Sequence, residues 1–281
     1  MPSDTLARLA EALRLTEEQY TGWAVAEEFS ATSVELRDEN LRAMALRIAT
    51  RAVLRRAHDL VGPIQPARHL VRETLREPFR GELDDEATME NLIGKEFPEP
   101  DDWISARREE RRTELVLMMD ASLSMSGKNL ALAAVAAAVL AFSIKSEDLA
   151  LIAFESTART LKSLGGRETA ARVVEQLLTQ PARGFTNIED ALRTGRRELA
   201  RGATPRRVGL LITDGVFTAG NDPLAEAALF PRLYVLLTED YVMDEDLCAR
   251  MARAGRGRLV RVRGYEDLPA SMLRVVSELL R

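Results

Sequence analysis

The chain has 281 residues, of which 46% are hydrophobic and 30% charged, and a formal net charge of −5. That length suits one large domain or two ordinary ones with a proper core, and the composition is that of a soluble globular protein, its mild acidity saying little about partners. The single cysteine, Cys248, excludes an internal disulfide, so the cytoplasm is the expected compartment.

The N-terminus, MPSDTLARLAEALRL, has neither the basic start nor the continuous apolar core of a signal peptide. Ser3 instead suits the cap of a helix carrying Leu6, Leu9, Ala10 and Leu13 on one face. A longer helix is expected from about Val34 to Leu60, ended by Gly62-Pro63, and a short one from Ala67 to Leu75. Residues 1–80 thus read as a small all-helical domain. Residues 81–113, rich in charge and holding Pro98 and Pro100, read as a linker with one short helix near Glu86 to Ile93. Residues 41–80 carry nine arginines against three acids. An RNA-associated role is therefore the alternative to a solvated helix face. Phe79 is the one aromatic residue there, so stacking platforms for nucleic acid are lacking.

From residue 114 the texture alternates. Strands are expected at 115–119, 149–154, 208–213, 233–238 and 259–262, with an edge strand at 158–161. Helices are expected at 128–145, 168–179, 188–201, about 222–229, 244–254 and 266–280. LVLMM, LALIAF, VGLLIT and LYVLLT are apolar almost throughout, as parallel strands covered on both faces must be. The expected fold class is α/β, a doubly wound and mainly parallel sheet over 114–281. The longest mostly apolar stretch, Leu130 to Ile144, is too short to span a bilayer and reads as a buried helix.

Asp120 ends one apolar run and Asp214 follows another, where sites form in doubly wound sheets. Ser122 and Ser124 alternate after Asp120, and a further hydroxyl, Thr186, precedes a helix in RGFTNIEDAL. Two acids and three neutral hydroxyl oxygens form a hard-oxygen set suited to Mg²⁺ or Mn²⁺, with no Cys or His pair nearby to favour zinc. Each piece has a plain reading beside this one. Thr186 with Glu189 has the form of a capping box, Asp214-Gly215 of a turn, and either serine could cap the next helix. Enzyme readings lack parts. The two histidines, His58 and His69, lie far from the serines, no G-x-S-x-G surrounds them, and Ser126-Gly127-Lys128 fails the phosphate-loop pattern.

DASLS at 120–124, GFTN at 184–187 and TDG at 213–215 together resemble the metal-ion-dependent adhesion site of von Willebrand factor A domains. DLALIAFEST at 148–157 also resembles that family's second strand, and the likeness covers residues 115–281. The resemblance implies a Rossmann-like domain and a non-enzymatic, Mg²⁺-dependent interaction module. In it Ser122, Ser124 and Thr186 would contact the metal directly or through water. Asp120 and Asp214 would act largely through water and through the serines. An open coordination position would accept an acidic side chain of a partner protein. Leu123 stands where many intracellular members have glycine. GELDDEATMENLIG at 81–94 and the stretch 218–238 are similar to CoxE-like and magnesium-chelatase-subunit-like bacterial members, which implies a MoxR-type AAA+ ATPase, or its client, as the partner.

Overall fold

The computed structural model describes residues 22–32, 39–61, 68–75, 82–110, 112–121, 127–180, 184–238 and 243–280. The helix expected from Ser3 lies outside them. Two N-terminal helices, α1 (Trp23–Thr32) and α2 (Glu39–Val61), come first. Strands β1 (Arg68–Thr74), β2 (Glu82–Leu83) and β3 (Ile104–Glu110), with helix α3 (Asp85–Leu92), follow. Then come β4 (Glu114–Asp120), α4 (Lys128–Ser143), β5 (Leu149–Phe154), β6 (Ala158–Lys162), α5 (Ala170–Leu178), α6 (Ile188–Leu199) and β7 (Arg207–Thr213). The chain closes with α7 (Leu224–Ala228), β8 (Leu233–Thr238), α8 (Glu245–Ala254), β9 (Leu259–Val262) and α9 (Leu268–Leu279).

The strands from β4 onward make a six-stranded sheet in the order β6-β5-β4-β7-β8-β9, with β6 antiparallel to β5 and all other neighbours parallel. Every residue of β4, β5 and β8 is buried. This is the doubly wound α/β fold that the unalternating apolar runs predict, and its helices stand close to the expected positions. The chain winds outward from β4 through β5 and β6, then returns across β4 to β7. The switch point of the sheet is therefore at β4, beside β7. On one face Val116 and Met118 pack with Ile152, Leu192, Phe230, Val235 and Met251. Gly195 lets α6 lie close to β4, since a Cβ there would stand 2.4 Å from the Met118 sulfur.

The structure divides the chain differently from the expected 1–80, 81–113 and 114–281. Residues 1–64 and 113–279 form one compact unit, and residues 65–112 with the last two residues form another. The cause is α4. Its residues Leu130 to Leu140 are all buried, so no side of it faces water. It packs against α1, α2, α5 and α9. Val25, Ala26 and Phe29 of α1 and Ala45, Ala49, Val53 and Ala57 of α2 are fully buried. Small residues on α2 recur every four positions, the spacing of one helix face. Arg56 of α2 stacks over Trp23 of α1 at 4.3 Å, joining the pair.

The helix expected at 67–75 is strand β1, and the stretch expected as a linker forms a three-stranded antiparallel sheet in the order β1-β3-β2. Seven residues of β1 pair with β3, from Arg68↔Glu110 to Thr74↔Ile104. Leu70, Val71 and Leu75 have helix-like spacing, but pairing with a segment some 35 positions away gives the backbone its hydrogen bonds instead. Side chains reinforce the register. Ser105 donates to the Glu73 carbonyl (3.2 Å), and Arg72 bonds the Asp84 carboxylate (2.7 Å), which also caps α3. Among the described residues no helix is long and apolar enough to cross a membrane.

Phe29 tests whether α1 is integral to the α/β unit. Phe29→Ala removes a fully buried ring and is expected to destabilise the unit by about 3–5 kcal/mol in urea denaturation followed by circular dichroism. A change within error would mean that α1 does not pack there.

Candidate metal site at the carboxyl edge of the sheet

β4 and β7 run parallel with Met119 opposite Ile212. Asp120 ends β4, and Asp214 follows the last residue of β7, so both acids reach the same carboxyl edge at the switch point. Asp120 is only 4% exposed. The next residue, Ala121, donates its N–H to the Phe154 carbonyl (2.8 Å), which holds the exit of β4 against β5.

The sequence leaves open whether Asp214-Gly215 is merely a turn. It is a turn, but one built by the acid itself. The Val216 N–H donates to Asp214 Oδ1 (2.8 Å), Gly215 has φ +85°, and a Cβ on Gly215 would lie 2.5 Å from the Asp244 carbonyl. The Asp244 N–H in turn donates to the Asp214 carbonyl (3.0 Å). Only glycine adopts this conformation so close to another backbone without strain.

Thr186 is 7% exposed and precedes α6. The expected capping box with Glu189 does not form. Asn187 is the cap, its side chain accepting the Asp190 N–H (3.0 Å), while Glu189 accepts both the backbone and the side chain of Asn221 (2.8 and 3.0 Å) and pairs with Arg193. The Asn221 N–H, more than any other contact, holds the Glu189 carboxyl below the usual carboxylate range. Relieved of capping, Thr186 is fixed through its backbone. Its N–H donates to Thr218 Oγ1 (2.9 Å), and its carbonyl accepts from Thr218 and Ala219 (2.9 and 3.1 Å). The other side of this loop rests on the turn after β5, where the Asn187 N–H meets the Glu155 carbonyl (2.8 Å) and the Phe185 N–H meets Ser156 Oγ (3.1 Å).

Thus the segment after Asp214 carries the residue that positions Thr186. Thr218 is a positioning residue that spacing alone did not single out. The only trace of it is a second hydroxyl four residues past Asp214. Ser122, Ser124 and Leu123 lie outside the described residues. Lys128, the nearest cation in sequence, bonds Glu266 instead of bridging the two acids. Among the described residues no group of three or more His, Cys, Asp or Glu side chains gathers in one place. Among the described residues the edge carries Asp120 and Asp214, with Thr186 on a neighbouring loop, and oxygen donors of this kind suit a hard divalent cation. Cys248 lies beneath the edge, fully buried, its sulfur 2.7 Å from where a Cβ on Gly215 would stand. Burial, with Asp214, Asp244 and Glu245 adding to it, pushes its thiol up to about 12. His58, an exposed residue of α2, stands edge-on to Phe142 with ring centroids 6.4 Å apart.

A doubly wound sheet with hydroxyl and carboxylate residues at its switch point defines a class of α/β domain. Residues 115–216 match the model of the von Willebrand factor type A domain. No curated protein matches significantly. Among solved structures, proximal thread matrix protein 1 from the mussel byssus is similar at 16% identity, over 60% of this chain and 48% of its own, with a TM-score of 0.52. A von Willebrand factor type A protein from Catenulispora acidiphila is similar at 15% identity, over 63% and 45%, with a TM-score of 0.51. At such identities the likeness is one of fold. This chain spans about half the length of these two structures.

Two predictions follow from this geometry. Thr218→Val removes the acceptor for the Thr186 N–H, and calorimetric titration should show manganese binding weakened roughly 10- to 100-fold while the far-ultraviolet circular dichroism is unchanged. Cys248 should resist iodoacetamide at pH 9 in the native chain and react in denaturant. Rapid native labelling would mean that α8 does not seal the edge from below.

Proposed function

We propose that this chain is a non-enzymatic, divalent-cation-dependent protein-interaction module, in which Asp120, Ser122, Ser124, Thr186 and Asp214 hold Mg²⁺, or Mn²⁺ in its place. The reading is supported by the parallel register of β4 and β7, which ends both strands at one sheet edge next to Asp120 and Asp214, and by Thr218, which ties the Thr186 loop to the segment after Asp214. When bound, the cation supplies a coordination position for an aspartate or glutamate of a partner protein. The chain's own residues do the rest. The buried strand ends hold both carboxylates in place, and the Asn187 cap leaves the Thr186 hydroxyl available. A bare carboxylate contact in water contributes little, whereas a fixed oxygen cage makes the contact directional.

Two finer points belong to the same proposal. The likeness of 81–94 and 218–238 to CoxE-like members supports an adaptor acting with a MoxR-type AAA+ ATPase in the cytoplasm. The absence of a base beside the serines in the sequence supports a binding role over a hydrolytic one. The α/β domain likeness supports a protein partner.

Calorimetry of the full chain with Mg²⁺ and Mn²⁺ is expected to show saturable binding that Asp120→Ala abolishes while the melting temperature stays within a few degrees. Capture of a MoxR-type ATPase on the immobilised chain should occur in magnesium and disappear in EDTA. Capture that is equal in both would remove the cation from the mechanism.

A further inference from the structure

Around the candidate site, exposed apolar side chains stand on three separate loops. Phe185 is 64% exposed, Phe217 37% and Met243 43%. Each directly precedes a residue of the framework already described. Phe185 precedes Thr186, Phe217 precedes Thr218, and Met243 precedes Asp244. Thr186 and Thr218 exchange hydrogen bonds, and the Asp244 N–H donates to the Asp214 carbonyl, so the three loops are fastened to one another at these points. The backbone of Phe185 is held by Ser156 Oγ (3.1 Å) and follows Gly184 at φ +87°, so a stitched loop carries this ring in water. Scattered single apolar residues on a surface are ordinary, but three on hydrogen-bonded neighbouring loops form a rim.

Charge limits what the rim can meet. Asp120, Asp214, Asp244 and Glu155 outnumber Arg159, which lines the hollow beside Ala121 and Glu155, so an anionic ligand is disfavoured at this edge unless a further cation intervenes. With a cation held there, the ligand needs one acid at the centre and apolar groups beside it. A phosphate-bearing polymer or a small carboxylate would leave the three side chains in water.

We propose that Phe185, Phe217 and Met243 read the residues beside the partner's acid, so that the segment recognised is an Asp or Glu with an aromatic or large aliphatic neighbour. This rests on the metal reading above and adds to it the chemical class of peptide that the site accepts. Buried aromatic anchors surrounding a polar contact are the usual source of specificity in such interfaces.

The test is selection from a phage-displayed library of random short peptides on the immobilised full chain, in manganese and in EDTA, with calorimetric manganese titration in parallel. The expected result is manganese-dependent enrichment of peptides pairing an acid with an adjacent apolar residue. Phe185→Ser and Phe217→Ser should each weaken a selected synthetic peptide about tenfold, with manganese binding and melting temperature unchanged. Manganese bound, with acidic peptides selected regardless of their neighbours or with both variants binding as well as the unmodified chain, would overturn the rim and spare the metal site. Manganese bound with no peptide selected would overturn it too, as would self-association of the chain that Phe185→Ser abolishes. No manganese binding by the unmodified chain would instead overturn the metal reading on which the rim depends.

Discussion

Parallel pairing between β4 and β7 is the constraint on which the rest of the molecule depends. Met119 stands opposite Ile212, and both strands are sealed by helices over nearly their whole length. A strand buried on both faces admits polar side chains only where it ends. The acids at 120 and 214 are 94 positions apart in sequence, yet the register brings them to one edge at the point where the winding reverses. Everything proposed for function uses that edge.

Around it several side chains of the loops hold the framework itself. Asn187 caps α6, Glu189 secures Asn221, Asp190 accepts the Ala158 N–H (2.8 Å), and Thr218 grips Thr186 from both sides of its peptide. This division of labour removes the capping-box reading of T-x-x-E, which the local pattern favours. A threonine that caps a helix spends its oxygen on the backbone. Here a neighbouring asparagine caps, and the threonine is positioned by its backbone alone. The same logic applies at Asp214, where Oδ1 shapes the turn that seats Gly215 over α8.

The far side of the domain shows how the same fold accommodates the N-terminal helices. A helix as uniformly apolar as α4 needs cover on every side, and α1 and α2 supply part of it beside α5 and α9. Those helices are thus integral to the α/β unit. At the opposite edge from the candidate site, the Lys162 ammonium is buried and donates to the carbonyls of Ser146, Leu149 and Gly166 (2.6, 2.7 and 2.9 Å), closing the start of β5 with charge-assisted hydrogen bonds. A buried acid occurs at this edge too, Glu114 accepting the Ala203 N–H (3.0 Å), and Lys162 also pairs with Glu168 (3.6 Å).

Local pattern by itself determined the α/β part of this protein. Four runs apolar on both faces, separated by helical spacing, admit little but a covered parallel sheet, and the acids at 120 and 214 are legible because each interrupts such a run. Tertiary structure alone decided three things. The stretch 68–74 is a strand because β3 lies beside it, although its own spacing suits a helix. The helices at 23–61 belong with the α/β unit because α4 exposes an apolar face to them. Asn187, not Thr186, caps α6, and Thr218 reaches back 32 positions to hold Thr186. In each case the deciding partner is distant along the chain, and spacing within a window carries no information about which distant groups will meet.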